Sequence, residues 1–227
     1  MPRVFVKIQR EIAVFLFIFI GLSAAAFWML NGGAYAEELR YYLFPQPIPS
    51  EPLFAFSASA SDSSQTAQEA KTKTFSPGHA EPAMRIVIPK IRVDAPLNVP
   101  QTHATKDILA SLEQGVGIYP ESARFGQEGR AILLGHSSRA SWYRGGYATI
   151  FALINKLEIG DVFYIIGNGK THIYEVTTSA TLTPSATNIM LAGVSDGSEV
   201  DLITCYPIGS ASKRKVIRSR LLMTQTN

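Results

Sequence analysis

The fold and the chemistry of this chain are decided by the stretch Asp201-Leu202-Ile203-Thr204-Cys205-Tyr206-Pro207. Its apolar and β-branched centre favours a short strand, and Pro207 and Gly209 are typical of the point where a strand stops. Cys205 is the only cysteine among the 227 residues. We therefore expect it at a strand's end, where a rigid sheet can hold the thiol at the mouth of a groove.

The sequence after this cysteine is strongly cationic. Five basic residues follow it closely: Lys213, Arg214, Lys215, Arg218 and Arg220. Nearby positive charge favours the reactive thiolate over the thiol. A lone cysteine is nevertheless more often an inert buried side chain, so a catalytic interpretation requires a partner that can carry a proton.

The best candidate for that partner is His136. It ends the apolar run Ala131-Ile132-Leu133-Leu134-Gly135, so it too is expected at the mouth of a buried strand. The other histidines lie in a Pro- and Ala-rich segment (His79), a polar turn (His103) and a polar strand start (His172). The sequence thus indicates a cysteine–histidine pair.

Three segments resemble the signature of the sortases, the cysteine transpeptidases that attach surface proteins to the outside of bacterial cells. They are, in order, Leu134-Gly135-His136, Leu202-Ile203-Thr204-Cys205 and Lys213-Arg214-Lys215. The signature has a Gly-His strand end, a TLxTC strand end and an arginine on the next strand. One departure is that Asp201 replaces the leading threonine of TLxTC.

The resemblance runs from about Met84 to the C-terminus and begins with Arg85-Ile86-Val87-Ile88-Pro89-Lys90-Ile91. The triplet Cys205-Tyr206-Pro207 is similar to that of class D and related sortases. The resemblance implies that Cys205 attacks a substrate carbonyl and that His136 protonates the leaving amine. It also implies that Arg214 hydrogen-bonds the substrate carbonyl or oxyanion, although strand alternation puts Arg218 and Arg220 on the same face.

The resemblance also implies the partners. The donor is a protein with a C-terminal LPxTG-like sorting signal, and the acceptor is an amine from peptidoglycan or from a pilin lysine. No cofactor and no metal site is predicted, because the histidines and carboxylates lack ligand spacing.

An uncharged apolar run at residues 12–30 is close to the ~20 residues that cross a bilayer as a helix. Basic residues precede it (Arg3, Lys7, Arg10) and Glu37 and Glu38 follow it, which predicts a cytoplasmic N-terminus and an extracytoplasmic domain. A cleaved signal peptide, cut after Ala36 in Ala34-Tyr35-Ala36, is the alternative.

The chain divides into three parts by composition. Residues 1–44 hold the anchor, residues 45–82 form a Pro-, Ser- and Ala-rich linker, and residues 83–227 form the catalytic domain. As a flexible coil the linker spans about 30 to 35 Å, enough to lift the domain off the membrane. An alternative for Leu53-Phe54-Ala55-Phe56 is a lid packed on the domain.

After Met84, short apolar runs alternate with turn residues, which indicates an all-β sandwich or barrel. Eight strands are predicted at residues 85–88, 92–97, 115–119, 130–135, 162–166, 172–180, 200–204 and 216–223. Helical pieces are expected at 107–112 and 147–157. The resemblance implies an eight-stranded closed barrel with short peripheral helices.

The chain carries a formal net charge of +3, and the excess belongs to the domain. The basic cluster is typical of a solvated strand face or of a patch that holds anionic lipid or wall polymer, whereas nucleic acid is not expected outside the membrane. Two alternatives to a transpeptidase stay open. One is a cysteine peptidase or amidase that hydrolyses its substrate, and the other is a non-enzymatic tethered wall-binding module with a buried cysteine.

Overall fold

The computed structural model describes residues 2–44, 74–75, 78, 83–139, 145–195 and 197–226, with side chains from Arg10 onward. The strands are β1 Met84–Ile88, β2 Val93–Asn98, β3 Val116–Ile118, β4 Gly129–Leu134, β5 Val162–Gly167, β6 Lys170–Leu182, β7 Ser198–Tyr206 and β8 Lys213–Thr226. The α-helices are α1 Pro2–Leu43, α2 Thr105–Glu113 and α3 Pro184–Ala192.

The strands close into a barrel in the order β1-β2-β3-β4-β7-β8-β6-β5. The β2–β3 and β4–β7 pairs are parallel, and the other pairs are antiparallel. The predicted eight-stranded closed barrel is therefore confirmed. The parallel β4–β7 pair matters most for the site, because it brings the C-terminal ends of these two strands to the same edge of the barrel.

Side chains alternate between the barrel interior and its outer face, as the pleat of a strand requires. Ala131 and Leu133 of β4 and Val200 and Leu202 of β7 are buried in the core. Phe75 also belongs to the core, at 1% exposure, and its ring lies 5.0 Å from that of Phe125. The packed domain thus includes a residue of the segment expected to be a linker, most of which (45–73) lies outside the described residues.

Two helical features differ from expectation. Residues 147–157 form turns and a short 3-10 helix, Ile154–Lys156, rather than a regular helix. Their apolar residues Phe151, Ile154 and Leu157 are nevertheless buried, so the periodicity identified the packed face and not the backbone type.

Helix α3 is not among the predicted helices, because its side chains form no apolar stripe. Its signal in the sequence is Thr183, whose hydroxyl caps the helix by accepting a hydrogen bond from the Ala186 amide at 3.3 Å.

Helix α1 contains a segment, Arg10–Leu43, that is long and apolar enough to cross a membrane. With 42 residues it is about 63 Å long, roughly twice the hydrocarbon thickness. Where the apolar run ends, the helix starts to pack on the barrel: Asn31 and Ala34 are buried. Lys156 then reaches Glu38 at 2.9 Å and the Tyr42 hydroxyl at 2.7 Å. The domain thus lies against the C-terminal part of helix α1.

This docking can be tested by a disulfide in a Cys205→Ala background. A Cβ at Gly33 would lie 3.8 Å from Cγ2 of Thr149, so side chains at these two positions are within contact distance. We expect Gly33→Cys with Thr149→Cys to crosslink in full-length protein in membranes, detected by mass spectrometry of a non-reduced digest. The control is Gly21→Cys with Thr149→Cys, because nothing lies within 4 Å of a Cβ at Gly21. Equal crosslinking of both pairs would contradict the docking.

Candidate active site

The strand pairing brings the three predicted site residues together. In the antiparallel β7–β8 pair, Cys205 and Arg214 are direct partners. In the parallel β4–β7 pair, the last partners are Leu134 and Ile203. The register continues one step further, because Gly135 donates its amide to the Ile203 carbonyl at 3.1 Å. His136 therefore lies beside Cys205 on the β4 side of β7, and Arg214 lies beside Cys205 on the β8 side.

The motif threonine holds this edge together. The Thr204 hydroxyl donates to the Gly135 carbonyl at 2.7 Å, so the residue before Cys205 is bonded to the residue before His136. Beyond these two strand ends, the Gly209 amide donates to the Ser138 hydroxyl at 3.0 Å. The segments that follow the cysteine and the histidine are thus also tied. The sequence predicts Thr204 as part of a strand and of the signature but does not indicate this hydrogen bond, and no local pattern indicates the Ser138 contact.

The three side chains share the outer face of the barrel. Because Val200 and Leu202 face the core, alternation puts Cys205 on the opposite face. The buried and half-buried residues alternate in the same way from Ala131 to His136. Cys205, His136 and Arg214 are each half-buried, which leaves them partly accessible from outside the barrel.

His136 is held by its surroundings. Its carbonyl accepts the Phe151 amide at 2.9 Å, and the Phe151 ring lies so close to Gly135 that a Cβ at this glycine would collide with it. This packing explains why a glycine precedes the histidine. Burial, with a smaller contribution from the positive charge of Arg139, lowers the pKa of His136 from 6.5 to about 4. The imidazole is therefore neutral at physiological pH and can accept a proton.

Fewer basic residues surround Cys205 than the sequence indicated. Arg218 is paired with Asp201 and Arg220 with Glu175, so two of the five expected cations are neutralised away from the thiol. Lys213, Arg214 and Lys215 remain at the start of β8, opposite the end of β7. Burial lowers the pKa of Lys215, which reflects how far the barrel encloses this strand.

Arg214 is the arginine beside the cysteine. Its Nη1 donates to the Ala211 and Lys213 carbonyls at 2.9 and 3.0 Å, which fixes one end of the guanidinium on the β7–β8 loop. A guanidinium has five N–H donors, so further donors remain for a ligand. Arg218, the alternative on the same face, gives two 2.9 Å hydrogen bonds to Asp201 instead.

Comparisons with known proteins identify the family of this barrel. The sortase domain family model matches residues 86–222. The chain is 29% identical to sortase D of Bacillus subtilis (strain 168) over 162 residues, covering 70% of this chain and 73% of the relative.

Solved structures show the same similarity. The chain superposes on sortase C-1 from Actinomyces oris with a TM-score of 0.53 and 31% identity, covering 63% of this chain and 75% of that one. For sortase A from Corynebacterium diphtheriae the TM-score is 0.52 and the identity 25%, with 64% and 62% of the two chains covered. The match spans the barrel and the strand ends that carry Cys205 and His136, and this chain therefore belongs to the sortase family of cysteine transpeptidases.

Proposed function

We propose that Cys205, His136 and Arg214 form the catalytic site of this sortase. The observation that carries the proposal is their position on three adjacent strand ends, β4, β7 and β8, on one face of the barrel. A nucleophile, a proton carrier and a rigid hydrogen-bond donor beside one another are what acyl transfer from a peptide requires.

The reaction proceeds in two halves. Neutral His136 takes the thiol proton, and the Cys205 sulfur attacks the scissile carbonyl of the donor peptide. Arg214 donates hydrogen bonds to the carbonyl oxygen as it becomes negative. His136 then gives its proton to the leaving amine, the C–N bond breaks, and a thioester remains on Cys205. An acceptor amine attacks this thioester, forms a new amide and regenerates the thiol.

The donor is proposed to be a protein with a C-terminal LPxTG-like sorting signal. The acceptor is an amine of peptidoglycan or of a pilin. The enzyme is proposed to be class D-like, which the Cys205-Tyr206-Pro207 triplet and the similarity to the Bacillus subtilis sortase D support. The charge asymmetry around helix α1 supports a cytoplasmic N-terminus and an extracytoplasmic barrel.

The test is incubation of the full-length protein with a library of LPxTG-like peptides. We expect intact-mass spectrometry to find an acyl group whose mass equals the N-terminal part of the peptide, attached at Cys205. Adding a glycine-rich peptide or a lysine peptide as acceptor should replace the hydrolysed product by an amide. Hydrolysis at the same rate with and without acceptors would instead indicate a peptidase.

The lowered pKa of His136 predicts how folding stability depends on pH. Above pH 6.5 the histidine is neutral in both the folded and the unfolded chain. As the pH falls from 6.5 towards about 4, the unfolded chain binds the proton first, so His136 makes the folded state progressively less stable. We expect the wild-type protein to lose more unfolding free energy across this interval than His136→Gln, measured by denaturant titration in detergent. A constant difference between the two proteins would contradict the pKa shift.

A further inference from the structure

Two arginines and two carboxylates form a cluster on the outer face of the barrel, away from Cys205. Arg130 donates to Glu199 Oε2 from Nε at 3.0 Å and from Nη2 at 2.8 Å. Arg218 holds both oxygens of Asp201, and Arg130 Nε lies 3.5 Å from Asp201 Oδ2. Two positive and two negative groups balance, as they must where Asp201 is fully buried and Arg130 is 9% exposed.

This arginine–carboxylate cluster also binds helix α3. Arg130 Nη1 donates to the carbonyls of Met190, Leu191 and Gly193 at 3.0 to 3.3 Å, and its Nη2 donates to that of Val194 at 3.1 Å. Arg218 Nη2 adds a longer bond of 3.4 Å to the Met190 carbonyl. The last carbonyls of a helix have no partner within it and carry partial negative charge. The guanidinium of Arg130 bonds two of them, those of Met190 and Leu191, and two carbonyls just beyond the helix, those of Gly193 and Val194.

Helix α3 has little other attachment to the barrel. Thr187 is its only buried residue, and every residue of this helix is among those that the structure describes. Ile189 is 75% exposed, and Val194, just beyond the helix, is 91% exposed. Apolar burial therefore contributes little to holding α3, and its position depends on the hydrogen bonds from the cluster.

The cluster and the candidate site share one face of strands β7 and β8. Asp201 is paired with Arg218 as Cys205 is paired with Arg214. The two pairs are separated by four residues, about 13 Å along the strands. An extended peptide joined to Cys205 covers that distance with about four residues, so α3 stands within reach of a bound sorting signal.

We propose that Arg130, Asp201 and Arg218 are positioning residues that hold α3 beside the substrate and thereby set which sorting signals the enzyme accepts. This inference rests on the proposed function. It explains the departure at the start of the motif: a threonine at position 201 would leave buried Arg130 and half-buried Arg218 with one carboxylate fewer, whereas Asp201 balances their charge. The residues do not touch the reacting atoms, so they act on substrate binding rather than on the chemical step.

The decisive variant is Arg130→Lys, which keeps the charge but lacks the fork that reaches several carbonyls at once. The control is Arg220→Lys, which changes an exposed arginine paired with Glu175 on the same strand face. The readouts, on full-length protein in detergent, are amide exchange of residues 184–194 and KM and kcat for peptides varied upstream of the scissile bond. Asp201→Asn, which is similar in shape to aspartate, is a second variant should Arg130→Lys fail to fold.

We expect Arg130→Lys to speed amide exchange in α3 and to raise KM about tenfold, with kcat within about twofold and weaker discrimination between peptides. Arg220→Lys should change none of these. Faster exchange with unchanged KM and discrimination would overturn the inference, because the cluster would then be merely structural. Unchanged exchange would overturn it as well. A wild-type protein that forms no acyl-enzyme would refute the proposed function, and this inference with it.

Discussion

Cys205→Ala is expected to abolish acyl transfer while the barrel stays folded. Removing the nucleophile of a covalent mechanism costs on the order of 10⁶-fold in kcat, because the remaining groups cannot form the intermediate. The fold should persist, since Cys205 is half-buried at the next-to-last position of β7 and its backbone pairing with Arg214 does not need the sulfur. Circular dichroism and the acyl-enzyme mass are measured on the same preparation.

The matched change at the histidine is His136→Ala, with the same expectation for turnover. Its control is His172→Ala. His172 is also a histidine with a lowered pKa, caused mainly by burial, but it hydrogen-bonds Thr224 across β6 and β8 at 2.9 Å, away from the strand ends of the site. An active Cys205→Ala protein would refute the mechanism. A Cys205→Ala protein that fails to fold would instead favour a structural role for the cysteine.

The parts of the site that lie within one short segment could be predicted from the sequence. The Gly-His and Thr-Cys strand ends, the basic entry of β8 and the alternation of faces are local properties, and the barrel places them as expected. Local pattern could not say which of three arginines on one face stands beside Cys205. That depends on the β7–β8 register, which pairs Arg214 with Cys205 and Arg218 with Asp201.

The remaining features depend on contacts between distant segments. Arg130 reads in the sequence as an ordinary strand start, but its partners lie 60 to 69 residues further along the chain. Similarly, α1 is recognised as an apolar span from its composition, whereas its docking depends on Lys156, which is 118 residues from Glu38. Such pairs leave no periodic signal in a single sequence. Asp201, the one departure from the motif, is the residue of the cluster that the sequence marks as unusual.

Arg214→Lys is expected to lower kcat by about 10²-fold or more, as the loss of an oxyanion donor does in other acyl-transfer enzymes. Lysine keeps the positive charge, but it offers a compact ammonium group where the arginine presents a planar fork. In this site one end of that fork is already fixed by the Ala211 and Lys213 carbonyls. The remaining donors are therefore aimed by the loop, which a lysine cannot reproduce.

The control for this change is Arg220→Lys rather than Arg218→Lys, although all three arginines lie on one strand face. Arg218 is engaged with buried Asp201, so its replacement disturbs the arginine–carboxylate cluster as well as the charge near the site. Arg220 is exposed and paired with Glu175. Steady-state kinetics with one peptide should show a fall in kcat for Arg214→Lys alone, with KM changed much less, because an oxyanion donor acts on charge that exists only in the transition state. A full kcat for Arg214→Lys would remove Arg214 from the mechanism.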